Sequence, residues 1–228
     1  MARPSHFVCL LISFLLIVSS VVADAQPPAP AGESTAVVTF TLDFPESQPE
    51  HYSLRVPSDG PAHYESSGRL SSDSDTTDSF DFDFTLSPET RSRIFALAAK
   101  AGYFQKDLDA HHKNIAFTGK KTLSYRDPHR AGESTYNFSS NPAAQELTAL
   151  LQNLSATLEF GHRFDYDRRY QKLALDEELK RMEQMETTHM LVEVSAIQPI
   201  LEQIVADPSV INVARARAQR LLEGATGR

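Results

Sequence analysis

The first third of the chain alternates apolar and polar positions in three separate runs. Ala36–Phe44 places Val38, Phe40, Leu42 and Phe44 on one face and Thr39, Thr41 and Asp43 on the other. His51–Val56 repeats the pattern with Tyr52, Leu54 and Val56, and Ser79–Leu86 with Phe80, Phe82, Phe84 and Leu86. A period of two predicts half-buried strands. Pro45–Pro49 breaks the first run from the second. Pro57-Ser58-Asp59-Gly60-Pro61 is turn chemistry that should return the chain as a partner strand over Ala62–Ser66. If Val56 pairs with Ala62, Arg55 faces His63 and Ser53 faces Glu65, which makes a polar outer face. In the third run a slip of one residue would bury Asp81 and Asp83, so its register should be firmly set.

The period then changes. Ser87-Pro88-Glu89 predicts a helix start, with a serine cap, a proline in the first turn and an early acid. Its apolar stripe is Ile94, Phe95, Leu97, Ala98 and Ala101, and Gly102 is the expected C-terminal cap. Thr122–Arg126 and Ser134–Ser139 read as two more strands around a turn at Asp127–Gly132. Asn141-Pro142 opens a second helix whose stripe is Leu147, Leu150, Leu151, Leu154 and Leu158, with Gly161 expected to close it. From about Arg163 no strand pattern remains. Tyr166–Glu186 is a long charged amphipathic stretch. Met190–Ala206 is more apolar and should kink or restart at Pro199, and Val210–Glu223 follows as a last helix.

These elements predict an α+β fold: a mainly antiparallel sheet of five to seven strands, two helices packed on one face, and a C-terminal helical module. Phe80, Phe82 and Phe84 should meet the Leu147–Leu158 stripe. The expected divisions are residues 1–25 as a signal peptide, 26–35 as a Pro/Ala-rich disordered leader, 36–160 as the sheet domain and 163–228 as the helical module. The pentapeptide Ala-Gly-Glu-Ser-Thr occurs at 31–35 and again at 131–135, but its flanks do not extend it into a convincing repeat.

The signal-peptide reading rests on Arg3, the apolar run Phe7–Val22 and the small residues Ala23-Asp24-Ala25. It changes the composition. Of 228 residues the sole cysteine, Cys9, falls in the segment to be removed. The mature chain then has no thiol nucleophile, thiolate metal ligand or disulfide, and its location is expected to be periplasmic or secreted. The net charge is −8, which argues against a role on nucleic-acid phosphates. Residues 36–160 carry 11 Lys and Arg against 17 Asp and Glu, and residues 161–228 carry 10 against 11. The acidity therefore belongs to the sheet.

Candidate chemistry is thin. Asp73, Asp75, Asp78, Asp81 and Asp83 have the oxygen ligands of a calcium site but lack EF-hand spacing; an acidic strand face is the plainer reading. His111 and His112 are adjacent and point apart on any regular element. His51 and His63 flank the predicted hairpin, and no His-Glu-x-x-His accompanies them. Gly-x-Ser-x-Gly, a P-loop and a dinucleotide fingerprint are absent from the sequence. The loop Asp107–Lys121 is a place for recognition, although Ile115 and Phe117 are expected to fold back as core or start the next strand. No catalytic, cofactor or metal residue is assigned.

Two resemblances complete the reading. Phe84-Thr85-Leu86-Ser87-Pro88-Glu89, with Ile94–Ala98, Gly102-Tyr103-Phe104 and Lys121–Tyr125, resembles an uncharacterised family of exported bacterial proteins over residues 80–160. Asp207-Pro208-Ser209-Val210, with Val213, Ala214, Arg215, Ala218 and Leu221, resembles the second helix of a HEAT repeat. Neither resemblance implies an activity. The expectation is an exported non-enzymatic binding or scaffold protein with a protein partner, its adaptable surface provided by Met182, Met185 and Met190. The alternative is an envelope hydrolase or metal-dependent enzyme in which a pocket gathers His51, His63 or His111 with carboxylates.

Overall fold

The computed structural model describes residues 35–45, 47–69, 76–188 and 190–226. The expected signal peptide, nearly all of the leader, Asp73 and Asp75 lie outside the described residues. Six strands form one antiparallel sheet: β1 (Val37–Asp43), β2 (His51–Pro57), β3 (Ala62–Arg69), β4 (Thr77–Phe84), β5 (Lys120–Arg126) and β6 (Ala131–Tyr136), in the order β4-β3-β2-β1-β5-β6. The hairpin register is the expected one, with Arg55 opposite His63 and Ser53 opposite Glu65. Phe40, Leu54, Tyr64 and Leu123 are completely buried on one face, while Thr39, Thr41, Arg55 and His63 stay at least partly accessible on the other.

Five helices cover the apolar face and each other: α1 (Pro88–Lys100), α2 (Pro142–Tyr170), α3 (Ala174–Thr187), α4 (Gln198–Ala206) and α5 (Asn212–Thr226). The α+β class is thus as expected, with a helical C-terminal region. Ser87 caps α1 by accepting from Thr90 N, and Asn141 caps α2 by accepting from Ala143 N and Ala144 N. Pro199 lies in the first turn of α4, so Met190–Ala206 restarts there after a 3₁₀ turn over Val194–Ile197. No helix among the described residues is long and apolar enough to cross a membrane.

Gly161 does not close α2. The helix continues 9 residues further to Tyr170, because Gly161 serves packing. A Cβ there would stand 2.5 Å from Ile197 Cγ2, so the missing side chain admits the 3₁₀ turn of the tail. From Leu154 to Gly161 every residue of α2 except Ala156 is buried, on all sides of the helix. The sheet covers one side through contacts such as Tyr136 OH with Thr148 Oγ1, while α3 and α4 pack against the helix as well. Residues Glu33–Arg228 form one compact unit that contains the whole core.

The far edge of the sheet is pinned more tightly than the sequence suggests. Gly102 and Tyr103 both have positive φ, at 70° and 53°, and the turn they make sits against β6. Tyr103 is held between the Tyr125 ring, 4.6 Å away, and the Arg130 guanidinium at 4.3 Å. A Cβ on Gly132 would lie 2.1 Å from the Tyr103 carbonyl oxygen and 3.0 Å from Gln105 N. Both obstacles are backbone, so Gly132→Ala must push β6 away from this turn. The expected loss is about 2 kcal/mol or more, read as a lower urea midpoint at unchanged m-value.

Candidate functional site

The sheet ends at β4, and its inner face there meets α2 in a polar cluster. Period two places Tyr64 and Ser66 of β3 on the inner face, and Ser66 is paired with Phe80 and Gly68 with Asp78 on β4. Helical spacing places Ser155, Glu159 and His162 one above another on α2. Glu159 Oε1 accepts two hydrogen bonds at 2.7 Å, one from Tyr64 OH and one from Ser66 Oγ. Tyr64 OH is also 2.9 Å from Ser155 Oγ. His162 Nδ1 stands 3.9 Å from Glu159 Oε2 and its Nε2 3.6 Å from Asp78 Oδ2, which is ion-pair range and too long for hydrogen bonds. The imidazole is stacked on Phe80, with centroids 4.3 Å apart and planes within 4°.

The electrostatics follow from burial against partners. Burial alone would raise the Glu159 pKa, but His162, Ser66 and Tyr64 together outweigh it and hold the carboxyl below its ordinary value. Glu159 in turn raises the His162 pKa, and Asp78 adds to this against the cost of burial. Tyr64 is pushed far up by burial and by the Glu159 charge, so it stays a neutral donor. Asp167, one helical face further along α2, is raised by burial and by Glu178.

His162 and Phe80 form the wall between two clefts. One encloses about 370 Å³ and is largely apolar, lined by Phe80, Phe82, Leu158, Ile197 and Ile200, with Asp165 and Arg169 at its rim. The other encloses about 490 Å³ and is polar, with Ser66, Arg69, Asp78, Glu159 and Asp167 among its walls. Phe84 is buried as expected. Phe80 and Phe82 are only half-covered, because the edge strand lies beside the clefts and not squarely on the Leu147–Leu158 stripe.

The histidines singled out from sequence lie apart and line neither cleft. His51 Nδ1 is 2.6 Å from Asp43 Oδ1, and His63 Nδ1 is 2.8 Å from Asp83 Oδ1. His111 Nε2 is 2.7 Å from Asp107 Oδ2, on the loop before β5. Asp81 and Asp83 point to the outer face, where His63 also reaches Asp81 at 3.6 Å, whereas Asp78 turns inward to His162. Among the described residues no group of three or more metal-ligating side chains converges. The methionines make no common surface either, since Met182 is fully buried and Met185 packs against the core, leaving Met190 exposed. Ile115 and Phe117 are not core: they stay 39% and 58% exposed, because the segment 111–118 bows outward instead of joining β5.

The residues sequence reasoning missed are Glu159 and His162. Their signal was present: both fall on the buried side of α2, where a carboxylate among leucines requires partners. The partners come from strands more than 90 residues away, which no local pattern shows. Compared with protein-family models and with curated proteins, the chain matches none.

Proposed function

We propose that this is an exported, non-enzymatic binding protein that captures an extended, basic segment of a partner protein along β4. Support for export is the basic, apolar and small-residue order of the N-terminal sequence. The observation that carries the binding reading is the apolar cleft beside Phe80 and Phe82. It is lined by Phe80 and Phe82 of the edge strand and by Leu158, Ile197 and Ile200 of the helical elements packed against that strand. Among the described residues β4 pairs with β3 alone, so alternate backbone groups face outward, ready for strand addition.

Charge selects the occupant. Asp81 and Asp83 are 76% and 71% exposed at the side chain. A second copy of β4 would bring like charges together, which is the device that keeps edge strands from self-pairing. A strand alternating lysine with valine would satisfy both faces, its valines entering the cleft and its lysines meeting the aspartates.

The test is fluorescence anisotropy with a labelled Lys-Val alternating octapeptide on residues 33–228. Binding should weaken about tenfold in Asp81→Lys/Asp83→Lys, by loss of steering and pairing, and comparably in Ile200→Arg, which fills the cleft. Amide shifts on peptide addition should centre on β4. Absence of binding, or unchanged affinity in both variants, overturns the reading.

A second reading, an acid–base enzyme, is favoured by one observation: His162 stands between two carboxylates and touches both clefts. Such a group holds or passes a proton near neutral pH. Hydrolysis of a reporter ester or glycoside by the wild type, abolished in His162→Gln, would support it over the binding reading.

A further inference from the structure

The segment before β5 carries an exposed apolar tip on a rigid base. Residues His111 to Thr118 are all exposed, and they include Ile115, Ala116 and Phe117. The base beneath them is fixed. Asn137 accepts from Thr118 N at 2.9 Å and donates to the Ala116 carbonyl at 3.0 Å. Lys121, nearly buried, donates to the carbonyls of Thr118, Gly119 and Asn137 at 3.0, 3.2 and 3.0 Å. Phe117 leans edge-on against Phe44 at 5.8 Å and keeps its other side in solvent. Phe138, next to Asn137, is 39% exposed beside His112.

The charge around this tip has the opposite sign to that of the chain. Residues 105–121 hold four lysines and two aspartates, in a protein of net charge −8. Both aspartates are engaged within the loop: Asp107, itself exposed, accepts from Asp109 N and lies against the His111 ring, and the more covered Asp109 accepts from His111 N and Asn137 N. Lys113 and Lys120 have no carboxylate within 4 Å among the described residues. Aromatic and branched apolar side chains at an exposed tip, with the exposed Lys113 within it and Lys120 at its base, match the headgroup region of a bilayer better than a protein groove. A fully exposed tip of this kind suits a flat charged surface, where lysines meet phosphates and apolar side chains meet the acyl boundary.

We propose that the Lys113–Lys120 loop is an interfacial anchor for an anionic lipid surface. Phe117 and Ile115 insert into the headgroup layer, and Lys113 and Lys120 pair with anionic headgroups. The anchor is independent of the β4 cleft, which lies at the other edge strand's side of the sheet order from β5.

The experiment is sedimentation with sucrose-loaded vesicles, using residues 33–228 so that the apolar Phe7–Val22 stretch does not partition by itself. That unit contains the whole core, and circular dichroism confirms folding of each variant. Wild type should bind phosphatidylcholine vesicles containing about one-third phosphatidylglycerol, and bind pure phosphatidylcholine about tenfold more weakly. Phe117→Ser should lower partitioning to the anionic vesicles about tenfold, and Lys113→Glu/Lys120→Glu should remove the preference for anionic lipid. No vesicle binding by the wild type, or variants that bind as wild type does, overturns the proposal. Self-association in sedimentation velocity that Phe117→Ser abolishes, with no vesicle binding, assigns the tip to a contact between copies and also overturns it.

Discussion

Replacing Glu159 with alanine should destabilise the protein by about 3 kcal/mol or more, while Glu159→Gln should cost only about 1 kcal/mol. The two substitutions separate acceptor from charge. Alanine takes the Oε1 acceptor from both Tyr64 OH and Ser66 Oγ, which donate to it at 2.7 Å, and leaves Tyr64 OH only Ser155 Oγ in a buried site. It also leaves His162 facing Asp78 alone. Glutamine keeps an oxygen for Tyr64 and Ser66 and gives up only the attraction for the imidazolium. A loss of similar size in both variants would mean that charge, and not hydrogen bonding, dominates the cluster.

The same cluster sets a pH dependence with two limbs. The Glu159 pKa is lowered from its ordinary 4.5 on folding, so its contribution is complete above 4.5 and disappears as pH falls through the lower folded value. The His162 pKa is raised from 6.5, so its contribution is complete below 6.5 and disappears as pH rises through the higher folded value. The grip of α2 on the β4 edge is therefore strongest between about pH 4.5 and 6.5. Urea midpoints across pH should show His162→Gln flattening the alkaline limb and Glu159→Gln the acid limb. Unchanged limbs in both variants would show that other groups carry the dependence.

How far the sequence reached can be judged from these elements. The hairpin register and both helix caps were legible because each is written in adjacent residues: alternation for β2 and β3, Ser87-Pro88 and Asn141-Pro142 for α1 and α2. Gly161 misled because glycine has two uses, ending a helix or admitting a neighbour, and only the position of Ile197 decides between them. Ile115 and Phe117 misled for a related reason. Their apolarity argued for burial, but Asn137 and Lys121 hold the loop base from across β5 and β6 and turn the tip outward. Glu159 and His162 were unread because their meaning depends on Tyr64, Ser66 and Asp78, brought to α2 by the sheet order alone.

A chain cut after His162 should fail to fold cooperatively. The cut falls inside α2, which runs on to Tyr170, and it removes Phe164, Leu175, Leu179, Met182, Ile197, Leu201 and Ile204 from one continuous core. A helix buried on all sides needs cover on all sides, and the sheet covers only one side of residues 154–161. Phe160 and Leu158 would be left facing water. At about 1.5–3 kcal/mol for each large side chain exposed, these two alone remove about 3–6 kcal/mol of a typical domain's roughly 5–15 kcal/mol. Polar links go as well: Ser87 loses Glu193, which takes its N–H and hydroxyl at the start of α1, and Thr157 Oγ1 loses the Val192 N–H. The truncated chain should bind a hydrophobic dye and show no sigmoidal urea transition. A subtler variant guards against mere aggregation: Ile197→Ser in the full-length tail should cost about 3 kcal/mol with a single transition retained, since tail and sheet share one core. Two separate transitions in that variant, or a cooperative truncated chain, would show that the tail folds apart from the sheet.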